Sequence, residues 1–220
     1  MGAGDLTEQL SVRARFERFP ATLKGAFILR GEDANPHQVV LKEANVVGIG
    51  LAVSRPMPIA PVTLDVVPHR DVFVPFEMFV SDLEPGWYTM RAELEVDGTL
   101  GTFDGGRRFA IAWPRASVRR GTVKVERAVP VGDGKVLVEQ VECGGDSVKV
   151  HLHADPPMPL TAKLFANGGR LEVLQTEIDE TTGRGKVVAY PVMRGQSSLR
   201  VELRTKGKGA QGALDVELPP

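Results

Sequence analysis

The sequence predicts an all-β protein made of two antiparallel β-sandwich domains in tandem. Short runs that alternate apolar and polar residues fill the chain, and helical periodicity is nearly absent. The 220 residues include 24 glycines and 16 prolines, which stand between the alternating runs, as turn residues do. One peptide pattern also occurs twice, which predicts two copies of one domain.

An internal repeat supports this division of the chain. Alternating residues lead up to Pro56-Met57-Pro58 and again to Pro157-Met158-Pro159. The recurring pairs of segments are residues 47–53 and 148–154, 90–94 and 199–203, and 109–114 and 214–219. Because their order is kept and only the loops change in length, we expect equivalent strands at equivalent places in both copies.

The repeat also predicts the domain boundaries. We expect a first sandwich over residues 6–114 and a second over residues 118–220, with residues 115–117 as a short linker. A domain of about 100 residues can bury a sufficient core without disulfides or a metal. We therefore expect no structural cofactor.

Charge, cysteine content and hydropathy limit the partners and compartments that suit the chain. The formal net charge is −1, so no long-range field favours nucleic acid or an anionic membrane. Cys143 is the only cysteine, which excludes an intrachain disulfide and favours a reducing compartment. No window approaches the roughly 20 apolar residues of a membrane span, and no secretory signal pattern opens the chain. We expect a cytoplasmic protein without a membrane span.

The segment from Leu83 to Leu94 resembles part of a known domain type. Leu83-Glu84-Pro85-Gly86-Trp87-Tyr88 leads into a clearly alternating strand. It resembles the approach to the sixth strand of immunoglobulin-like and fibronectin type III-like domains, where a Leu-x-Pro-Gly turn precedes a corner tyrosine. The resemblance implies two tandem immunoglobulin-like sandwiches, and a hydrogen bond from the Tyr88 hydroxyl back to the backbone. Residues 194–198 of the second copy depart from this pattern, and an arrestin-like pair of sandwiches is the alternative.

The stretch from Phe73 to Phe79 is the main candidate for a binding surface. If Phe76 and Met78 face the core, then Phe73, Pro75 and Phe79 lie on the opposite face of the strand. Apolar residues on both faces imply cover by the other domain, a second subunit or a partner. The alternative is a bulge at Pro75 that returns all three phenylalanines to one core.

His151 and His153 form a second candidate site. Their i, i+2 spacing places them about 7 Å apart on one strand face, where Asp155 continues the row and a transition metal could bind. The repeat, however, places both histidines on the solvent-facing side and indicates no further ligand. A His/Met copper centre with Met158 is a further interpretation, but Met57 holds the same place in the copy without histidines. A shared packing role explains both methionines better.

The sequence shows no catalytic signature. Cys143 would need a nearby base and a lowered pKa to act as a nucleophile, and a strand-end thiol at the rim of a core is the simpler interpretation. There is no Gly-x-Ser-x-Gly elbow, no His-Glu-x-x-His helix and no Gly-rich phosphate loop. The scattered carboxylates form no pair that stands out. We therefore expect no enzyme and no cofactor.

Together these patterns predict an interaction or scaffolding protein without enzymatic activity. It would bind a protein partner or a second copy of itself through a sheet edge or the apolar surface of the first domain. The alternative is a small-ligand module for carbohydrate or metal. Such a module would use loops at one end of a sandwich, with Trp87 as the aromatic platform, or the strand of His151 and His153.

Overall fold

The computed structural model describes residues 6–206 and 209–218. Within these ranges the chain forms 17 strands, one 3-10 turn at Leu6–Glu8 and no α-helix. Every pair of neighbouring strands in the sheets is antiparallel. The prediction of an all-β, antiparallel protein is therefore confirmed. No helix in the described ranges is long and apolar enough to cross a bilayer.

The chain contacts divide the protein into two compact units, Met1–Ile111 and Ala112–Pro220. The dividing point lies three residues before the predicted end of the first domain at Pro114. The predicted limits of 6–114 and 118–220 stay a prediction, and Pro219, which belongs to the repeat, lies outside the described residues.

Two sheets make up the first unit. Its strands are β1 (Leu10–Arg18), β2 (Thr22–Gly31), β3 (His37–Gly48), β4 (Ser54–Pro56), β5 (Val62–Val66), β6 (Asp71–Phe79), β7 (Gly86–Val96) and β8 (Thr99–Ile111). One sheet has the order β1-β2-β6, and the other has the order β4-β3-β7-β8 with β5 also paired to β3. A single cluster of buried residues draws Leu23 and Phe27 from the first sheet and Met90 and Leu94 from the second. The architecture is sandwich-like.

The second unit has the same layered character with a different strand order. Its strands are β9 (Gly121–Val131), β10 (Gly134–Cys143), β11 (Val148–Asp155), β12 (Leu160–Ala166), β13 (Gly169–Leu171), β14 (Val173–Ile178), β15 (Arg184–Ala189), β16 (Ser198–Thr205) and β17 (Gln211–Glu217). The sheets have the orders β14-β15-β11-β10-β9 and β13-β12-β16-β17. Val150 and Leu152 of one sheet share a buried cluster with Leu164 and Val201 of the other.

The internal repeat corresponds to equivalent strands only in its later part. Strands β7 and β16 both lie inside a sheet, and each pairs with the strand that follows it, β8 and β17. The first pair of segments does not correspond. Strand β3 ends at Gly48 and the chain turns at Gly50, whose φ is +69°, whereas β11 continues to Asp155. The equivalence of residues 47–53 with 148–154 is therefore wrong, because the alternation in the first segment spans a strand end and a turn.

The segment that carries the resemblance has the hydrogen bond that the resemblance implies. Tyr88 is fully buried, and its hydroxyl donates to the main-chain carbonyl of Glu84 at 2.8 Å. Its ring stacks on Phe109 with 5.5 Å between ring centroids. The following hairpin turns at Asp97 and Gly98, both with positive φ, as predicted from the Asp-Gly dipeptide.

Candidate protein-interaction surface

Strand β6 presents an apolar row on its outer face. Phe73 and Phe79 are 59% and 67% exposed and Pro75 is exposed, whereas Phe76 and Met78 between them are buried. The pairing of β2 with β6 runs without a register shift. The alternation that the sequence predicted is therefore present, and the alternative of a bulge at Pro75 is wrong.

The main-chain groups of the same residues point away from the sheet. Val80 donates its N–H to the carbonyl of Ala21 at 2.8 Å, and these two residues continue the register of β2 and β6. Hydrogen-bonded and non-bonded pairs alternate along an antiparallel ladder. Every second residue of β6 therefore directs its N–H and C=O away from β2, and these residues form what we call the outer row: Phe73, Pro75, Glu77 and Phe79.

The free edge of β6 is open to an additional strand. In the described part of the chain, β2 is the only strand paired with β6. Pro75 has no N–H, and its position in the outer row means that no bond to β2 is lost there. The outer row therefore offers N–H donors from Phe73, Glu77 and Phe79 and carbonyl acceptors from all four of its residues.

On the outer face of the β1-β2-β6 sheet, the apolar surface continues from β6 onto β2. Register places Ile28 between Arg13 on β1 and Phe73 on β6. Ile28 is only 5% exposed although it lies outside the core cluster, because cross-strand neighbours cover it. Next to it a shallow groove of about 380 Å³ passes over Gly25 and Ala26. A Cβ at Gly25 would meet the backbone of β1, so only glycine fits at this position.

Charged pairs surround this apolar centre. Asp71 accepts from Arg13 at 2.9 Å and lies 3.4 Å from Arg30, and Lys24 lies 2.9 Å from Glu77. Each pair has at least one solvent-exposed member, so each contributes only about 0–1 kcal/mol to stability. An apolar centre within a polar rim is the usual composition of a protein-binding patch.

The structure does not assemble a metal-ligand set around the two histidines. His151 and His153 are half-buried on the face of β11 opposite its buried valines, and Asp155 is exposed beside Lys135 at 3.4 Å. The nearest carboxylate to His151 is Glu142, with 3.7 Å from Nε2 to Oε2. Across residues 6–206 and 209–218, no three His, Cys, Asp or Glu side chains are grouped to hold a metal.

The other residues singled out from the sequence have packing positions. Met57 belongs to the core cluster of the first unit, and Met158 packs against that of the second. Cys143 is buried at the end of β10, and burial raises the pKa of its thiol against a smaller lowering by Arg119. A thiol with a raised pKa is a poor nucleophile. Trp87 is half-buried within β7.

His37, a buried residue whose two ring nitrogens both have carboxylate partners, was not singled out from the sequence. Its Nδ1 lies 2.6 Å from Asp97 and its Nε2 lies 2.8 Å from Asp33, and the ring is almost fully buried. The hydrogen bond with Asp97, and to a lesser degree that with Asp33, raises the pKa of His37 against the lowering effect of burial. Both carboxyls have a lowered pKa, chiefly through the bond to His37. Sixty residues separate His37 from Asp97, so no local motif indicates the cluster.

Comparison with known proteins finds only weak structural similarity. No protein-family model matches the chain, and no curated protein does. A conserved domain protein from Bacillus anthracis is 11% identical with a TM-score of 0.37, and the match covers 97% of this chain and 88% of that one. Red sea bream transglutaminase is 12% identical with a TM-score of 0.33, and the match covers 96% of this chain and 31% of that one. The chain thus spans less than a third of the transglutaminase.

These structures correct one expectation. The prediction that the chain is not an enzyme is contradicted by the transglutaminase among them, and we withdraw it. At 12% identity and a TM-score of 0.33, the match transfers no activity, substrate or catalytic residue to this chain.

Proposed function

We propose that this protein binds an extended segment of a protein partner, or of a second copy of itself, along the free edge of β6. The single observation that carries the proposal is the outer row. In it, the residues that expose apolar side chains also carry main-chain donors and acceptors with which no other strand of the described ranges pairs. Addition of a strand uses both at once, since main-chain bonds supply affinity and side-chain contacts supply specificity.

The partner segment would extend the β1-β2-β6 sheet by one strand. Its main chain would pair with Phe73, Glu77 and Phe79, and its alternate side chains would lie beside the two exposed phenylalanines. Pro75 accepts but cannot donate, so pairing is weakest in the middle of the row. A suitable partner segment therefore has apolar residues at every second position and tolerates one missing bond at its centre.

The energy available from this contact indicates a modest affinity. Full burial of a phenylalanine side chain contributes about 1.5–3 kcal/mol, and each net main-chain hydrogen bond about 0.5–1.5 kcal/mol. Ordering a flexible segment and immobilising two molecules offsets much of this gain. We expect a reversible complex with a Kd in the micromolar range, which corresponds to about −8 kcal/mol.

For the fold, we propose that both units are immunoglobulin-like sandwiches. In the first unit, β1-β2-β6 and β3-β7-β8 correspond to the A-B-E and C-F-G strands of that fold, with β4 and β5 as additional edge strands. The bond from Tyr88 to Glu84 supports this assignment as a tyrosine corner. In the second unit, β11-β15-β14 and β12-β16-β17 correspond to B-E-D and C-F-G, preceded by β9 and β10.

Three charge substitutions test the binding surface. Phe73→Asp and Phe79→Asp each place a carboxylate in the outer row, and Leu100→Asp is the matched control because Leu100 is a 52% exposed apolar residue elsewhere in the same unit. Sedimentation velocity over a range of concentrations measures self-association. Replacing Phe73 or Leu100 with a photo-crosslinking phenylalanine analogue, in cells of the source organism, captures other partners.

The proposal requires crosslinks at Phe73, to a second copy or to one recurrent protein, that are absent at Leu100. It also requires that Phe73→Asp and Phe79→Asp each lower the amount of that complex at least tenfold. The melting curves of both variants should match that of the wild type. Equal crosslinking at the two positions, or a complex that survives both phenylalanine substitutions, contradicts it.

A further inference from the structure

Four arginines surround a small pocket at the beginning of the second unit. The pocket has a volume of about 200 Å³ and is lined by Val118 and by Arg115, Arg119, Arg120 and Arg194. Three of these arginines come from one short stretch of sequence, and Arg194 comes from the segment between β15 and β16. The pocket lies wholly within the unit Ala112–Pro220.

A short stretch of antiparallel pairing brings the two segments together. Val118 forms an isolated bridge with Met193. On one side of it the N–H of Arg119 donates to the carbonyl of Val192 at 2.9 Å, and on the other the N–H of Arg194 donates to Ser117 at 2.9 Å. Because both arginines are fixed through their main chains, their positions do not depend on their side-chain charges.

Arg119 is buried, and no carboxylate in the described ranges forms an ion pair with it. Arg119 is only 9% exposed, and its Nη2 donates to the carbonyl of Arg194 at 2.8 Å. Its Nε is shielded from solvent and has no hydrogen-bond partner in the described structure. A buried guanidinium with an unsatisfied donor is costly, because both its charge and its N–H have lost water.

None of the four arginines forms an ion pair with a carboxylate in the described ranges. The guanidinium of Arg120 lies against Gly145, where a Cβ would approach its Nη2 to 2.5 Å, so the glycine leaves room for it. Arg115, Arg120 and Arg194 are exposed and their guanidinium groups can turn toward a ligand.

We propose that this pocket binds a phosphate-type oxyanion. Guanidinium groups bind tetrahedral oxyanions through paired, charge-assisted hydrogen bonds, and an oxyanion in the pocket would supply the negative charge that no carboxylate of the described ranges supplies to Arg119. The volume is below the roughly 300–1,000 Å³ of pockets for drug-sized ligands, so the pocket selects a single phosphate group and not a large molecule. The chain has a net charge of −1, so the attraction is local to the pocket and not a property of the whole surface.

The test is a titration of the intact chain with inorganic phosphate at constant ionic strength. Calorimetry measures the binding, and the shift in melting temperature is the second readout. A ligand that binds only the folded state raises the melting temperature. Arg119→Gln removes the buried positive charge, and Arg194→Gln removes an exposed arginine while retaining the carbonyl that Arg119 contacts. Arg170→Gln is the control, because it makes the same charge change at an exposed arginine on β13.

We expect phosphate to bind with one-to-one stoichiometry and chloride not to bind at the same ionic strength. Affinity should fall more than about tenfold in Arg119→Gln and about threefold to tenfold in Arg194→Gln, as charge-assisted bonds are lost. It should stay unchanged in Arg170→Gln. If Arg119→Gln fails to fold, Arg194→Gln decides the question alone.

Two further titrations identify the source of the phosphate group. Tighter binding of O-phosphoserine than of inorganic phosphate assigns the pocket to phosphate monoesters, and the reverse order assigns it to the free anion. Both outcomes support the proposal. Absence of binding to either at millimolar concentration overturns it, as does an equal loss in Arg170→Gln, which would indicate unspecific charge attraction.

Discussion

The hydroxyl of Tyr88 donates a 2.8 Å hydrogen bond to the main-chain carbonyl of Glu84, four residues earlier in the chain. Tyr88 is completely buried and its ring stacks on Phe109. The bond thus fixes the turn that precedes β7 to the strand itself. It satisfies a carbonyl and a hydroxyl that would otherwise be costly at the edge of a core.

Tyr88→Phe should lower the free energy of unfolding of the first unit by about 1–2 kcal/mol, because the ring remains and only the bond is lost. Chemical denaturation followed by tryptophan fluorescence measures this, in a Trp113→Phe background where Trp87 reports on the first unit alone. Tyr88→Ala serves as the comparison and should cost about 3–5 kcal/mol, since it also removes the packed ring. If Tyr88→Phe lowers the free energy of unfolding by less than about 0.5 kcal/mol, the bond does not stabilise the turn.

Stability of the first unit should depend on pH through His37. Its pKa is raised above the ordinary value of 6.5, chiefly by the hydrogen bond with Asp97. The charged ring therefore stabilises the fold fully below about pH 6.5, and this contribution is lost as pH rises through the folded pKa. Asp33 and Asp97 act in the opposite sense. Because their pKa values are lowered, their ionised carboxyls stabilise the fold above about pH 4, and this contribution is lost in more acidic solution.

Melting temperature measured from pH 5.5 to 8.5 checks this prediction, and it should fall with rising pH in the wild type. His37→Gln should flatten the profile over that range, because the titrating ring is gone. His69→Asn is the control, since His69 is exposed in a turn with positive φ that asparagine tolerates, and it should leave the slope unchanged. A slope that persists in His37→Gln would assign the pH dependence to other groups.

Glu77→Pro should weaken partner binding without unfolding the first unit. The N–H of Glu77 belongs to the outer row and points away from β2, so proline there removes a donor from the free edge only. Glu77→Ala keeps the N–H and should bind normally, since the pair with Lys24 is exposed and contributes about 0–1 kcal/mol. Binding is measured by crosslinking at Phe73 and stability by thermal melting.

The neighbouring substitution Met78→Pro supplies the opposite control. Its N–H faces β2, so proline there leaves a main-chain carbonyl of β2 without its partner and should destabilise the unit by at least about 1–3 kcal/mol. Equal binding by Glu77→Pro and the wild type would show that the partner does not use the edge of β6.

Gly25→Ala should destabilise the first unit by at least about 2 kcal/mol, because overpacking at this point has no flexible neighbour to absorb it. A Cβ would lie 2.1 Å from the carbonyl oxygen of Arg15 and 2.7 Å from Cα of Phe16. Strand β1 would have to move away from β2. Gly195→Ala is the control, since nothing lies within 4 Å of its Cβ position. Denaturation midpoints of the two variants provide the comparison, and a Gly25→Ala midpoint equal to that of the wild type would show that β1 and β2 separate at little cost.

Local patterns in the sequence predicted the local structure well. The alternation from Phe73 to Phe79 predicted which side chains are exposed, since side-chain direction in a strand is fixed by the period of two. Asp97-Gly98 predicted a hairpin turn for the same local reason. The alternation over residues 47–53 led to a wrong equivalence with residues 148–154. Apolar residues at every second position also occur there, although the strand ends at Gly48 and the chain then turns.

The sequence by itself determined the strand character of the chain, the side of β6 that is buried, and the candidate role of Phe73, Pro75 and Phe79. These depend on residues two to six positions apart, which the backbone brings into a fixed relation without any distant contact. The tertiary structure alone decided that β6 is an edge strand, that His37 lies between Asp33 and Asp97, and that Arg194 joins Arg119 at one pocket. Each of these depends on which distant strands pair, and pairing follows from the packing of whole sheets, a quantity that no short stretch of sequence contains.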